Sequence, residues 1–237
     1  MTSSRAPARY AVYFAPAPET ALWDFGRRVI GYDSYRPTAR APQSYSNLGA
    51  LLSPDDLSEP ARYGFHATLR APFELSPAHS ADHLLELARN FAKSRDAVSI
   101  GALQVTQMSG FIALVPTSPP PALAELAASC VRSFEPIRAP LSTTDRTRRL
   151  MSPLTPRQIG YVDTWGYPYV LEDFTFHMTL TGRLDEETGM KAMTALKVLH
   201  AKISADVTID AITVLEQTTR KCPFRVIERF PFAGTAV

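Results

Sequence analysis

One short string occurs twice in this chain. Tyr63-Gly64-Phe65-His66-Ala67-Thr68-Leu69 and Phe174-Thr175-Phe176-His177-Met178-Thr179-Leu180 share the core Phe-His-x-Thr-Leu. A duplication limits the fold more than any composition figure, because a repeated unit that cannot bury its own apolar face must pack against its copy. The segments that follow the two copies also match. After the first, apolar Leu84, Leu87, Ala88 and Phe91 fall at helical spacing and predict a helix from about Ala78 to Lys93. A strand is expected over Val98 to Val105, then a Ser109-Gly110 turn and a second strand over Phe111 to Val115. After the second copy, Met190, Met193, Leu196, Leu199 and Ile203 predict a helix from about Glu186 to Ile203, with Asp185 as its N-cap. Strands are expected over Val207 to Gln217 and Phe224 to Phe232.

Each half therefore reads strand, helix, strand, strand. The expected class is α+β: one bilobal domain over residues 1–237, with repeats at about 61–116 and 172–232. Two pseudo-symmetric lobes of antiparallel sheet carry helices on their outer sides and enclose a central cleft. A strand over Tyr10 to Phe14 and a helix from about Glu19 to Ile30 precede the first copy, and a helix from about Pro121 to Phe134 closes the first half. Asp33 to Pro60 and the basic stretch Arg138 to Tyr161 read as irregular. The prolines Pro116, Pro119, Pro120, Pro121, Pro153 and Pro156 read as connection markers.

Side chains alternate faces along a strand. Phe65, Ala67 and Leu69 then form a core face, and His66, Thr68 and Arg70 form the opposite one. In the second copy Phe176, Met178 and Leu180 oppose His177, Thr179, Thr181 and Arg183. The polar faces of two equivalent strands would meet across a groove. Opening a phosphodiester needs a base for the attacking oxygen and an acid for the departing one, on opposite sides of phosphorus. A histidine pair supplies both near neutral pH, because the free imidazole titrates near 6.5. The hydroxyls of Thr68 and Thr179 can donate to the non-bridging oxygens, and Arg70 can add positive charge. Tyr13 points into the groove if Tyr10, Val12 and Phe14 face the core.

Duplicated His66-Ala67-Thr68-Leu69 and His177-Met178-Thr179-Leu180 resemble the paired H-x-[ST] motifs of the two-histidine (2H) phosphoesterase superfamily, and the likeness extends from Tyr10 to Phe232. The strings Arg62 to Phe73 and Trp165 to Val170 resemble its bacterial branch associated with phosphonate metabolism. The resemblance implies a metal-independent cyclic phosphodiesterase without cofactor. Its catalytic residues would be His66 and His177, with Thr68, Thr179, Arg70 and Tyr13 at the phosphate. It implies a small cyclic phosphate as substrate, such as phosphoribosyl 1,2-cyclic phosphate or a 2′,3′-cyclic nucleotide. An RNA end stays open as a partner, as does a binder that uses the same cleft without turnover.

Other classes find little support. The net charge of +2 is too small for a broad nucleic-acid footprint. Cys130 and Cys222 form no C-x-x-C, and no carboxylate cluster or H-x-E-x-H accompanies the histidines, so no metal is expected. No G-x-S-x-G occurs. Arg5 and Arg9 near the amino terminus precede no apolar segment, and no apolar run approaches membrane-spanning length. A monomer in the cytoplasm is the expectation. Arg146, Arg148 and Arg149 either clamp a second phosphate on the substrate or, the reading favoured for a run of charge, form a solvated basic loop; Tyr63 falls on the face opposite His66, and Tyr167 and Tyr169 either line a pocket or pack a loop. His79, His83 and His200 fall on predicted helices away from the motifs.

Overall fold

A computed structural model describes residues 7–39, 45–203 and 205–234. Arg5 and residues 40–44 of the stretch read as irregular lie outside the described residues. The strands are β1 (Arg9–Phe14), β2 (Ala67–Glu74), β3 (Val98–Met108), β4 (Phe111–Pro116), β5 (Met178–Thr179), β6 (Asp206–Ile209), β7 (Ala211–Gln217) and β8 (Arg225–Pro231). The helices are α1 (Ala21–Ile30), α2 (Ser46–Gly49), α3 (Pro54–Tyr63), α4 (Ala81–Lys93), α5 (Pro121–Phe134), α6 (Thr143–Arg149), α7 (Pro156–Trp165) and α8 (Glu186–His200).

The α+β class and the antiparallel pairing are as expected, but the strands join in one eight-stranded sheet, in the order β6-β3-β4-β5-β2-β1-β7-β8. The join is the direct pairing of the two motif strands, Ala67 opposite Met178. The hairpins cross over between repeats. The β3–β4 hairpin follows the first motif, yet β4 pairs with β5 of the second. Strand β7 follows the second motif, yet it pairs with β1, which flanks β2. The helices follow suit: α4 packs on β7 and β8, and α8 on β3 and β4.

The strand expected over Val207 to Gln217 breaks at Asp210. Its first part, β6, pairs with β3, and its second, β7, pairs with β1. Only Asp210 separates β6 from β7, although they stand six places apart in strand order. A flat sheet would separate them by about 29 Å at the usual strand spacing. The sheet therefore curls strongly on itself, as the right-handed twist of strands favours.

The stretches read as irregular contain helices. Ser53 and Thr155 build capping boxes with Asp56 and Gln158, and Pro54 and Pro156 occupy the first helical turn. Proline is favoured there because its missing N–H is one that no intrahelical carbonyl would have met. Ser142 caps α6 by accepting from the Asp145 N–H. These helices bury few apolar side chains, which is why periodicity did not reveal them. Asp185 caps α8 as expected, accepting from the Thr188 N–H. No helix among the described residues is long and apolar enough to cross a membrane.

Candidate active site

The two motifs sit at the centre of the sheet. Phe65, Ala67 and Leu69 of the first copy and Phe176, Met178 and Leu180 of the second are buried in the main core. The residues between them, His66, Thr68, His177 and Thr179, keep partial exposure on the other face. Ala67 opposite Met178 is the antiparallel pair that joins the two strands, and antiparallel geometry centred on it sets His66 toward Thr179 and Thr68 toward His177. Directly opposed residues bring their Cβ atoms within about 5 Å. The two His-x-Thr pairs thus run head to tail on one face.

The second motif strand is shorter than expected. Leu180 N and Thr181 N both donate to the Ile112 carbonyl, at 2.8 and 3.2 Å, and the Thr181 hydroxyl accepts from Ile112 N at 3.0 Å. That irregularity ends the ladder after Thr179 and turns the chain toward α8. Gly182 then donates from its N–H to the Asp56 carbonyl, tying α3 to this end of the site.

Each imidazole is held from behind by its own backbone. His66 Nδ1 lies 2.8 Å from the Gly64 carbonyl, and His177 Nδ1 lies 2.9 Å from the Thr175 carbonyl. A carbonyl only accepts, so both Nδ1 atoms carry hydrogen and the neutral rings present Nε2 as the basic atom. His66 Nε2 lies 3.1 Å from the Thr68 hydroxyl. Tyr13, buried on β1, stacks on the His66 ring with centroids 3.7 Å apart and planes 19° apart. Gly64 has φ of +79°, a conformation that glycine adopts without strain, and it delivers the chain from α3 into the motif. Burial pushes the His66 imidazole down to about 4, with the nearby His177 adding to the effect and the Gly64 carbonyl opposing it. His66 is therefore neutral at physiological pH.

These side chains share one cavity of about 510 Å³, an ordinary size for a small-molecule site. His66, His177, Thr68, Thr179 and Tyr13 line it together. Arg70 does not. It is 1% exposed, donating to Glu135 Oε2 at 2.5 Å and to the Trp165 carbonyl at 3.0 Å, beneath the cavity wall. Strict alternation would give Arg70 the face of Thr68, but the pairing with β1 shifts register there: Thr68 lies opposite Tyr13 and Arg70 opposite Val12 of the main core, so Arg70 turns to the face that α5 covers and meets its partners there. Thr181 and Arg183 also border the cavity.

Other wall residues were left open by the sequence reading or, as with Arg9 and Arg220, not reached by it. Arg148 and Arg149 line the cavity, and the solvated basic loop expected there is helix α6. Arg146 instead pairs with Asp163 on the surface. Arg9 and Arg220 join the wall from β1 and from the turn before β8. Tyr63 lies at the end of α3, not on a strand, and borders the cavity while stacking on Phe224. Tyr167 lines it, while Tyr169 is exposed. His79 and His83 contact each other on the surface, and His200 packs against Phe25. Among the described residues no group of three or more His, Cys, Asp or Glu is placed to hold a metal ion.

A family model described as "Protein of unknown function (DUF1045)" matches residues 68–225, from the threonine of the first motif to the start of β8. The chain belongs to the DUF1045 family. This DUF1045 chain is also similar to two proteins named ribose 1,5-bisphosphate phosphokinase PhnN. The one from Janthinobacterium sp. (strain Marseille) is 32% identical over 98% of this chain and 52% of its own length. The one from Laribacter hongkongensis (strain HLHK9) is 39% identical over 75% of this chain and 41% of its own length. The chain thus spans about half the length of the curated relatives it matches. Among solved structures, it is similar to a phosphoesterase (TM-score 0.43, 14% identity, 95% of this chain and 98% of that one). It is similar also to E. coli LigT complexed with 3'-AMP (TM-score 0.43, 13% identity, the same coverage). Likeness at that level adds nothing to the chemistry, which rests on the residues of the DUF1045 chain itself.

Proposed function

We propose that this chain is a two-histidine phosphodiesterase that opens a small cyclic phosphodiester without a metal. The observation that carries the reading is the Ala67–Met178 register, which sets two His-x-Thr pairs head to tail around one cavity. The two halves of the sheet, each with one motif strand, act as pseudo-symmetric jaws on a single phosphate.

The environments divide the labour. His66 is neutral, so its Nε2 takes the proton from the attacking water. The Gly64 carbonyl, bonded to Nδ1–H, stabilises the imidazolium that results. His177, whose Nδ1 is held by the Thr175 carbonyl, delivers a proton from Nε2 to the departing ring oxygen. The P–O bond to water forms as the P–O bond to the ring breaks, and the product is a phosphomonoester. Solvent exchange then returns the proton from His66 and resupplies His177. Thr68 and Thr179 donate hydroxyl hydrogens to the non-bridging oxygens, where charge builds in the transition state.

The phosphonate association and a ribose-phosphate substrate, such as phosphoribosyl 1,2-cyclic phosphate, draw support from the names of the PhnN relatives. The kinase activity in those names is not carried over. The chain holds no G-x-x-x-x-G-K-[ST]: Gly26 and Gly31 keep the spacing, but Tyr32 and Asp33 stand where Lys and Ser or Thr would.

The experiment is a panel of cyclic phosphates, including 2′,3′-cyclic nucleotides and phosphoribosyl 1,2-cyclic phosphate, followed by phosphorus NMR in excess EDTA. The expected result is a phosphomonoester product from at least one member. His66→Ala and His177→Ala should each lower turnover by three or more orders of magnitude while leaving the melting transition cooperative. Saturable binding without product would make the protein a binder, and full activity in either variant would refute the assignment.

A further inference from the structure

We infer that the arginine-lined end of the cavity is a second anion site, built for a phosphomonoester carried on the same molecule as the cyclic diester. The inference rests on the proposed activity and narrows its substrate class.

Arg9, Arg148, Arg149 and Arg220 come together there with Tyr167, drawn from β1, α6 and the turn before β8. Two carboxylates neutralise part of the group. Asp145 holds Arg148 at 2.5 Å and Arg220 at 2.7 Å, and Glu74 holds Arg220 at 2.8 Å. Arg220 thereby ties α6 and the β7–β8 turn to β2, and Arg148 is neutralised within α6 by Asp145, three residues earlier.

Arg9 and Arg149 differ. Among the described residues neither forms a salt bridge. Arg9 is 8% exposed; its Nε, at 2.9 Å, and its Nη2 both donate to the neutral Gln217 amide oxygen, and the guanidinium lies 5.5 Å from the Phe224 ring centroid. Arg149 lies over the Tyr167 ring, 5.2 Å from its centroid, with Nη2 3.4 Å from the Pro72 carbonyl. Its Nε is buried with no hydrogen-bond partner. Both guanidiniums are weakened as cations, first by burial: Arg220 and Arg148 add to the effect on Arg9 while Tyr63 and Tyr13 oppose it, and Arg148 and Arg9 add to the effect on Arg149 while Tyr167 and Asp145 oppose it. Buried charges without a counter-ion are costly, and a cavity that keeps two of them side by side is complementary to an anion. A phosphomonoester carries up to two charges and three acceptor oxygens, which suits two guanidinium forks. The cyclic diester, with a single charge, is met by the histidines and threonines.

The spacing follows from β1. Tyr13 stacks on His66, and Arg9 stands four residues earlier on the same strand and the same face. Four residues of strand span about 13 Å between Cα atoms. An arginine reaching back along the cavity leaves room for one pentose between its guanidinium and the reacting phosphorus.

The test compares adenosine 2′,3′-cyclic phosphate with its 5′-phosphorylated form, in the unmodified protein and in Arg9→Met, Arg149→Met and Arg149→Lys. The expected result is at least a tenfold preference in kcat/KM for the 5′-phosphorylated substrate, expressed in KM. The ratio should fall toward one in both Met variants and partly recover in Arg149→Lys. No preference in the unmodified protein, or an unchanged ratio in the variants, overturns the inference. A second arm does not depend on turnover: calorimetric titration of the doubly substituted H66A/H177A protein with ribose 5-phosphate. Saturable binding that disappears with Arg9→Met supports the site even if neither cyclic substrate reacts, which would count against the catalytic reading alone. Absence of saturable binding overturns the site.

Discussion

At the scale of single residues, the asymmetry between the two histidines is the main consequence of the structure. His66 is stacked under Tyr13 and held neutral by burial, with its value lowered to about 4 from 6.5. Two pH effects follow. A base must be deprotonated, so kcat/KM should fall on the acid side as pH drops through about 4, and Tyr13→Ala should move that limb upward by hydrating the ring. A pH–rate profile with its acid limb unmoved in Tyr13→Ala would contradict the role given to burial. For stability the sign is that of a depressed group: between 6.5 and 4 the unfolded chain binds a proton that the native state refuses. Stability should therefore decline as pH falls through that window, and His66→Phe should flatten part of the decline in urea titrations. The motif residues were legible in the sequence because strand alternation sorts them from Phe65, Ala67 and Leu69 without further information. Arg9, Arg149 and Arg220 were not legible as a group. They lie far apart in the chain and converge only through tertiary packing of β1, α6 and the β7–β8 turn, so a phosphate clamp could be suggested for Arg149 from its basic neighbours but not for Arg9 or Arg220.

At the scale of elements, α1 presses on the segment that leads into the first motif. A methyl group on Gly26 would come within 2.1 Å of the Phe65 ring, the residue before His66. Gly26 is required by this close approach of helix to strand, not by its backbone angles. Gly26→Ala should cost about 1–3 kcal/mol, the usual range for overpacking, and should also reduce turnover by tilting Phe65 and the imidazole beside it. A thermal melt and a kcat measurement on the same sample check both. The helices α4, α5 and α8 were legible because each buries an apolar stripe. The helices α3, α6 and α7 were missed for the opposite reason, since they bury one or no apolar residue each. The capping residues of all three and the first-turn prolines of α3 and α7 stand in the sequence, but Pro156 reads equally as a connection marker.

For the molecule as a whole, the duplication is visible in sequence but does not divide the chain into separable units. The β3–β4 hairpin finds its outer partners, β5 and β6, in the second half of the chain, and β1 finds β7 there. The two fragments 1–119 and 120–237 should therefore show no cooperative thermal transition alone and should regain both structure and activity when mixed. Circular dichroism of the fragments and of their mixture tests this, and independent folding of either fragment would contradict it. The exchange of strands was beyond sequence reasoning, because matching motifs reveal kinship between segments and not which segment pairs with which. Its consequence bears on the proposed function: the proposed catalytic histidines of both copies stand at the starts of adjacent strands of one continuous sheet. The most direct measurement of that claim is a crystal structure grown with orthovanadate. Nε2 of His66 and Nε2 of His177 should each lie about 3 Å, hydrogen-bond distance, from oxygens of one and the same vanadate. Rings that contact separate anions, or that leave the vanadate bound only by arginines, would contradict it.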